Sequence, residues 1–203
     1  MTPIKTALAS AALLLGSTAA MATTVEITNG ELLDENETIV ENAVKVANFS
    51  TLVTAVTTAG LADDLSSEGP FTVFAPLDSA FANLPEGTVE TLLQSENREQ
   101  LITLLGAHVV PAKIMAEDIS LAFVSGSDQT FVSAFGDVVT LDGDILTLDT
   151  LTEVSDLLVT QNGSDFYVST STGATQDAEI IATDIVASNG VIHIVDKVLA
   201  PIQ

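Results

Sequence analysis

Histidine is the side chain in this sequence best suited to proton transfer or metal binding near neutral pH, and the chain contains two, His108 and His193. Apolar residues flank both of them, and two imidazoles are too few ligands for a metal site. We therefore expect structural roles. A buried His108 would be hydrogen-bonded to a polar group such as Asp78, because an unpaired buried imidazole is costly. His193 would be a strand residue. Asp78 and His193 are the predicted structural polar residues.

The other reactive residue types stand in no arrangement that is typical of an enzyme. No serine lies in a Gly-x-Ser-x-Gly elbow, and the chain has neither a phosphate-binding loop nor a dinucleotide fingerprint. Asp142-Gly143-Asp144, with Asp137 and Asp149 nearby, lacks calcium-loop spacing and is typical of a hairpin turn. The absence of cysteine removes thiol catalysis and thiolate metal sites. We predict no catalytic residue, no metal ligand and no cofactor, and a hydrolase is the least favoured class.

The composition is strongly acidic, with 28 Asp and Glu residues against 5 Lys and Arg, and a net charge of −23. Such a field repels nucleic acid phosphates and anionic membranes, so neither is expected as a partner. The carboxylates are interspersed along the chain. They form either a solvated acidic shell or, where they cluster, a site for calcium.

The amino terminus is typical of a secretory signal peptide. Lys5 precedes the apolar run Ala7–Leu15, and Ala20-Met21-Ala22 is a small-x-small cleavage pattern. The run is too short to span a bilayer, and no later segment approaches the ~20 apolar residues that a membrane helix requires. We expect cleavage near Ala22, export to the periplasm or the extracellular space, and no membrane insertion.

Three segments of different character follow one another. Residues 23–36 are predicted to be a flexible acidic leader, and residues 37–203 a single domain. Apolar residues recur at helical spacing in the first part of that domain, where Ser50 and Asp78 are expected to cap local helical turns. From Ile114 onward the pattern is mostly that of strands. Helices first and strands second predict an α+β domain with an antiparallel sheet system.

Three blocks in this order resemble a known family. They are Gly69-Pro70-Phe71 through Phe81, Leu104-Leu105-Gly106-Ala107-His108-Val109-Val110-Pro111, and Asn189-Gly190-Val191 through Pro201. They resemble the two signature blocks and the central histidine segment of fasciclin-like (FAS1) domains, and the likeness covers Thr38 to Pro201. It implies an α+β FAS1-type fold, with antiparallel β-sheets in a wedge or sandwich and several helices packed on one side. It also implies a secreted, non-enzymatic adhesion module that binds a protein or polysaccharide at the cell surface, in the periplasm or in the matrix.

The resemblance also points to candidate interaction residues. His108 and Val109 lie in the central segment, where Ala107 replaces the family's usual tyrosine. Asp184 and Ile185 match an Asp-Ile pair implicated in integrin recognition by animal relatives. The other interpretation of this pair is strand-end packing for Ile185 and a solvated Asp184. The stretch from His108 to His193 is longer than is usual in the family, and the excess is expected within Thr150–Gln176. Enlarged loops there are either a further candidate interaction surface or an insertion without a function.

Two further functions stay open at this point. Some fasciclin-like proteins bind pigments, so the chain is alternatively a carrier of a small apolar ligand, either a pigment or a lipid. It is otherwise a surface protein whose assembly depends on calcium.

Overall fold

The computed structural model of the chain describes residues 34–125, 130–132, 138–142, 145–151, 156–162, 165–170 and 178–199. The predicted signal peptide, most of the predicted leader, and Asp137, Gly143 and Asp144 of the acidic turn region lie outside these residues.

Helices come first along the described residues and strands dominate afterwards, as the sequence predicts. The helices are α1 (Ile39–Lys45), α2 (Ser50–Ala59), α3 (Ala62–Leu65), α4 (Asp78–Ala82), α5 (Thr88–Leu92), α6 (Arg98–Gly106) and α7 (Ala116–Ser125). The strands are β1 (Phe71–Pro76), β2 (Val109–Val110), β3 (Thr130–Val132), β4 (Val138–Asp142), β5 (Ile145–Leu148), β6 (Leu157–Asn162), β7 (Asp165–Thr170), β8 (Ala178–Ala187) and β9 (Gly190–Val195).

The start of α1 is set by local sequence. The Thr38 hydroxyl accepts a hydrogen bond from the Glu41 N–H, and the Glu41 carboxylate accepts one from the Thr38 N–H at 2.8 Å. This reciprocal capping box satisfies backbone donors that a helix start leaves free. Helix α2 ends with Gly60 at φ 75°, a left-handed conformation that glycine adopts without a steric penalty.

The start of α2, in contrast, is capped from a distant part of the chain. Asp78 Oδ1 accepts from the Thr51 N–H at 2.8 Å, and Asp78 Oδ2 accepts from the Ser50 hydroxyl at 2.6 Å. Ser50 therefore does not cap α2 as predicted, and the Asp78 carboxylate is bonded to α2. Burial raises the pKa of Asp78, but these hydrogen bonds outweigh it and leave the pKa below its ordinary value.

The described strands form one continuous ladder in the order β2-β1-β9-β8-β7-β6-β5-β4-β3. Every neighbouring pair is antiparallel except β1 and β9, which run parallel with Phe74 opposite His193. The α+β class is confirmed, and the parallel pair makes the sheet system mixed. The two signature blocks of the sequence thus lie side by side as β1 and β9.

Strands β6 and β7 lie within the stretch Thr150–Gln176, where enlarged loops are predicted. The aromatic and β-branched run Phe166-Tyr167-Val168 predicted β7, whereas β6 was not predicted. Residues of β6 pair with residues of β7 from Leu157↔Thr170 to Asn162↔Asp165. The strands alternate between buried positions, such as Val159 and Val168, and more exposed ones. This period of two is what a half-buried strand requires, and the polar residues that indicated loops occupy its outward positions.

Two apolar cores lie against this ladder. The helix-side core contains side chains of α1 to α6 together with Val73 and Ala75 of β1. The strand-side core contains side chains of β5 to β7, Ile119 of α7 and Phe74 of β1. Alternation along β1 sends neighbouring residues to the two cores. The expected helices on one side are thus α1 to α6, and α7 packs with the other core.

Candidate functional site

The helix-side core contains an apolar cavity of about 430 Å³. Helices α1, α2 and α6 form part of its wall, and Val73, Ala75 and Ile192 of β1 and β9 form another part. The volume lies in the range of about 300–1,000 Å³ that is typical of small-molecule sites. Closely packed protein interiors hold few voids larger than a water molecule, so a cavity of this size is a candidate binding site.

The cavity wall is apolar almost throughout. Its residues with polar side chains are Thr57, Asp64, Ser67 and His108. Two lining residues are large, apolar and exposed, Val44 at 61% and Leu151 at 48%. We call Val44 and Leu151 the apolar rim. The cavity is therefore bordered at the surface by apolar side chains that a ligand or a partner protein could cover.

His108 is buried at the end of α6, immediately before β2, and it lines the cavity. Its Nδ1 lies 2.8 Å from the Leu104 carbonyl oxygen, and its Nε2 accepts from the Leu199 N–H at 2.9 Å. A single proton on Nδ1 satisfies both contacts, so the ring is neutral. Burial is confirmed for His108, but the predicted bond to Asp78 is wrong because Asp78 is bonded to α2.

His193 is buried in β9, and its ring lies against the ring of Phe74 with 5.5 Å between centroids. Its Nε2 lies 2.9 Å from the Ile114 carbonyl oxygen, and its Nδ1 accepts from the Asp184 N–H at 3.3 Å. This ring is also satisfied by one proton, here on Nε2. The strand position predicted for His193 is confirmed.

Burial depresses the basicity of both histidines. It lowers the pKa of His108 from 6.5 to about 4, although the bond to the Leu104 carbonyl acts in the opposite direction. It also lowers the pKa of His193, against the opposing effects of the Ile114 carbonyl and Asp184. Because each ring nitrogen already has a backbone partner, neither imidazole has a free lone pair for general-base catalysis.

Asp184 lies in β8 with φ at 61°, an unusual conformation for a residue other than glycine. Its Oδ1 accepts from the Ala116 N–H at 2.8 Å, and this contact caps the start of α7. The carboxylate is therefore bonded rather than merely solvated. Ile185 is half-buried and packs against the helix-side core, which agrees with strand-end packing.

The predicted interaction residues fall into two separate groups. His108 and the buried Val109 both line the cavity, so a bound ligand would contact them from inside. Asp184 lies beside His193, and Ile185 is its neighbour in β8. The position of the cavity and its lining residues were not predicted. The sequence of α2 contains one signal for the cavity. Leu52, Val53 and Val56 spread over a wider part of the helix surface than one packed face, and in the structure Val53 and Val56 are only half-buried.

Among the described residues, no three His, Asp or Glu side chains converge where they could hold a metal ion. The calcium hypothesis therefore has no supporting cluster in that part of the chain. The helices of the described segments include none with the length and apolar character needed to cross a membrane.

Comparison with known proteins places the chain in a family. The Fasciclin domain model matches residues 47–201. The chain is 42% identical to Protein sll1483 of Synechocystis over 83% of this chain and 76% of that protein. It is 41% identical to the uncharacterized protein sll1735 of the same organism, over 79% of this chain and 96% of that protein.

A solved FAS1 domain pair from the insect cell adhesion molecule Fasciclin I has the same fold. It matches 80% of this chain and 50% of that chain with a TM-score of 0.61 and 16% identity. The ladder with its adjacent signature strands, the extent of the family match and this structural likeness agree: the chain belongs to the fasciclin domain family.

Proposed function

We propose that the chain is an exported, non-enzymatic adhesion module that binds a protein or polysaccharide partner at the cell surface, in the periplasm or in the matrix. Membership in the fasciclin domain family is the observation that carries this proposal. The structural neighbour from an insect cell adhesion molecule supports it. The bonded state of both histidines agrees with a role in binding rather than catalysis, because neither has a free ring nitrogen.

The apolar rim is the surface that we expect a partner to contact. Large exposed apolar side chains are candidates for the centre of an interface, where burial contributes most to affinity. The rim lies beside the cavity on a protein with a net charge of −23, which attracts basic partners to its surface as a whole. A partner that matches this surface is apolar at its centre and basic or neutral around it.

The test is retention of cells or matrix extract by immobilised protein comprising residues 23–203, at physiological salt. We expect retention by the unmodified protein and a clear loss with the double variant Val44→Ser and Leu151→Ser. The matched control is Ile145→Ser, because Ile145 is also a large exposed apolar residue, at 41%, but does not line the cavity. A folded, unmodified protein that retains nothing would contradict the adhesion proposal.

Export is part of the same proposal and rests on residues 1–22. We expect the exported protein to begin at Thr23, after the pattern Ala20-Met21-Ala22. Intact mass and amino-terminal sequencing of protein from the cell exterior and the periplasm measure this directly. Full-length protein found only inside the cell would contradict export.

The cavity favours a second function, the carriage of a small apolar ligand. Its volume of about 430 Å³ is nearly three times the roughly 150 Å³ of an engineered cavity that binds benzene. Burying an apolar molecule there would remove apolar surface of both ligand and protein from water.

Titration with the neutral dye Nile red tests this second function. We expect a saturable rise in dye fluorescence, and Val53→Phe should weaken dye binding by occupying part of the cavity. Thr54→Phe is the matched control, because Thr54 is the next residue of α2, is exposed and does not line the cavity. Equal dye binding by both variants would place the dye elsewhere and contradict a ligand site in the cavity.

A further inference from the structure

The charges around the cavity restrict the chemical class of its ligand. Among the described residues that line the cavity, Asp64 is the one with an acidic side chain, and His108 is neutral because both of its ring nitrogens have backbone partners. Asp64 is exposed in α3, so its charge lies toward the open side of the cavity. An anion at this part of the opening is repelled by that charge.

The described residues include four of the five basic side chains, and none of these four lines the cavity. Lys45 is paired with Glu37, and Arg98 donates from Nε to the Ala59 carbonyl at 2.9 Å. Lys113 lines a different, polar groove, and Lys197 follows β9. No cation of the described chain therefore stands ready to pair with an anionic ligand inside the cavity.

An anionic head group would consequently be unpaired there. Transfer of an ionised carboxylate from water to an apolar environment without a partner is strongly unfavourable. Repulsion by Asp64 and by the net charge of −23 acts in the same direction. A ligand with an uncharged head group avoids both the transfer of an unpaired charge and this repulsion. Its hydrocarbon chain buries the same apolar surface as that of the anion.

We infer that the cavity binds uncharged apolar molecules, such as long-chain alcohols, esters or hydrocarbons, and discriminates against fatty-acid anions of equal chain length. This inference rests on the proposed carrier function and adds the class of ligand to it. The negative charge of Asp64 at the opening of the cavity is the feature that we expect to disfavour anionic ligands.

Displacement of Nile red by a matched set of twelve-carbon compounds tests the inference: dodecanol, methyl dodecanoate and dodecanoate. The assay is run at about pH 8, where the carboxylic acid is ionised. We expect the alcohol and the ester to displace the dye at concentrations at least about tenfold lower than the anion. Equal displacement by the anion would overturn the inference while leaving the carrier function intact. Failure of Nile red and all three compounds to bind would overturn both.

A charge reversal in α3 locates the effect. We expect Asp64→Lys to improve binding of dodecanoate by about fivefold to tenfold and to leave methyl dodecanoate nearly unchanged. Asp63→Lys is the matched control, because Asp63 is exposed in the same helix, changes the net charge equally and does not line the cavity. Asp64→Asn, expected to act in the same direction but more weakly, replaces Asp64→Lys if thermal unfolding shows that variant to be misfolded. Equal effects of the changes at positions 63 and 64 would contradict the role of Asp64.

Discussion

The two cores of this domain are packed differently. In the strand-side core, Ile119, Leu148, Leu157, Val159 and Val168 are all completely buried. In the helix-side core, several side chains of α1, α2 and α6 are only half-buried around a cavity of about 430 Å³. Complete burial of these side chains in the strand-side core contributes strongly to stability, whereas the helix-side core leaves open space in which apolar side chains could meet a ligand. We therefore expect truncations in the strand-side core to affect mainly stability, and changes around the cavity to affect mainly the proposed ligand binding.

The same truncation in each core should give the largest contrast. Ile119→Ala removes a side chain that is completely buried in the strand-side core, and we expect a loss of about 4 kcal/mol of unfolding free energy. Ile102→Ala changes a half-buried residue beside the cavity, and we expect a loss of about 1 kcal/mol. Both residues are helical, so the helix propensity of alanine affects both alike. Urea denaturation measures the two values, and equal losses would remove the distinction between the cores.

Acid should destabilise the domain through His108, which links the two cores by lining the cavity and accepting from Leu199 of the strand-side core. The folded state keeps His108 neutral down to about pH 4, whereas the unfolded chain protonates it near 6.5. Stability present above about pH 6.5 is therefore lost as the pH falls toward 4, by about 3 kcal/mol.

Unfolding free energies of the wild type and His108→Gln, measured between pH 7 and 4, isolate this contribution from that of the carboxylates. We expect the variant to be about 1–3 kcal/mol less stable at pH 7 but less sensitive to acid. Parallel pH profiles for the two proteins would contradict the role of His108.

Replacing valine with phenylalanine should cost more stability in the strand-side core than beside the cavity. Val159→Phe adds volume at a completely buried position of the strand-side core, and we expect a cost of about 1–3 kcal/mol. Val53→Phe adds the same atoms beside open space, and we expect a change of less than about 1 kcal/mol. Thermal or urea unfolding compares the two variants. A larger cost at position 53 would mean that the cavity cannot accept a side chain.

The smallest expected effect concerns β8, which packs at one end with the strand-side core and at Ile185 with the helix-side core. Asp184→Ala removes the bond that caps α7 while keeping a side chain at φ 61°, and we expect a loss of about 1 kcal/mol. Asp184→Gly also removes the bond but relieves the backbone conformation, so it should be less damaging than alanine. Urea denaturation of both variants tests this order, and greater damage by glycine would contradict it.

Predictions from the sequence succeeded where neighbouring residues determine the result. Helical spacing before Leu105 and strand patterns after Ile114 predicted the α+β class, and the apolar flanks of His108 predicted its burial. The predictions failed where a polar group had several possible partners. Asp78 bonds to Ser50 and Thr51 rather than His108, because folding, and not sequence proximity, brings α2 beside it. Density of polar residues likewise indicated loops around Leu157–Asn162, where cross-strand pairing forms β6, whereas the strand pattern at Phe166-Tyr167-Val168 correctly predicted β7.

The sequence by itself determined the family, the order of helices and strands, and the acidic charge, because residue identity and short-range periodicity contain this information. Only the tertiary structure decided the parallel pairing of β1 with β9, the partners of both histidines and the cavity. Contacts between distant residues depend on how whole elements pack. The cavity is the space that α1, α2, α6 and the sheet leave between them. Its position and its lining residues therefore cannot be predicted from any single segment.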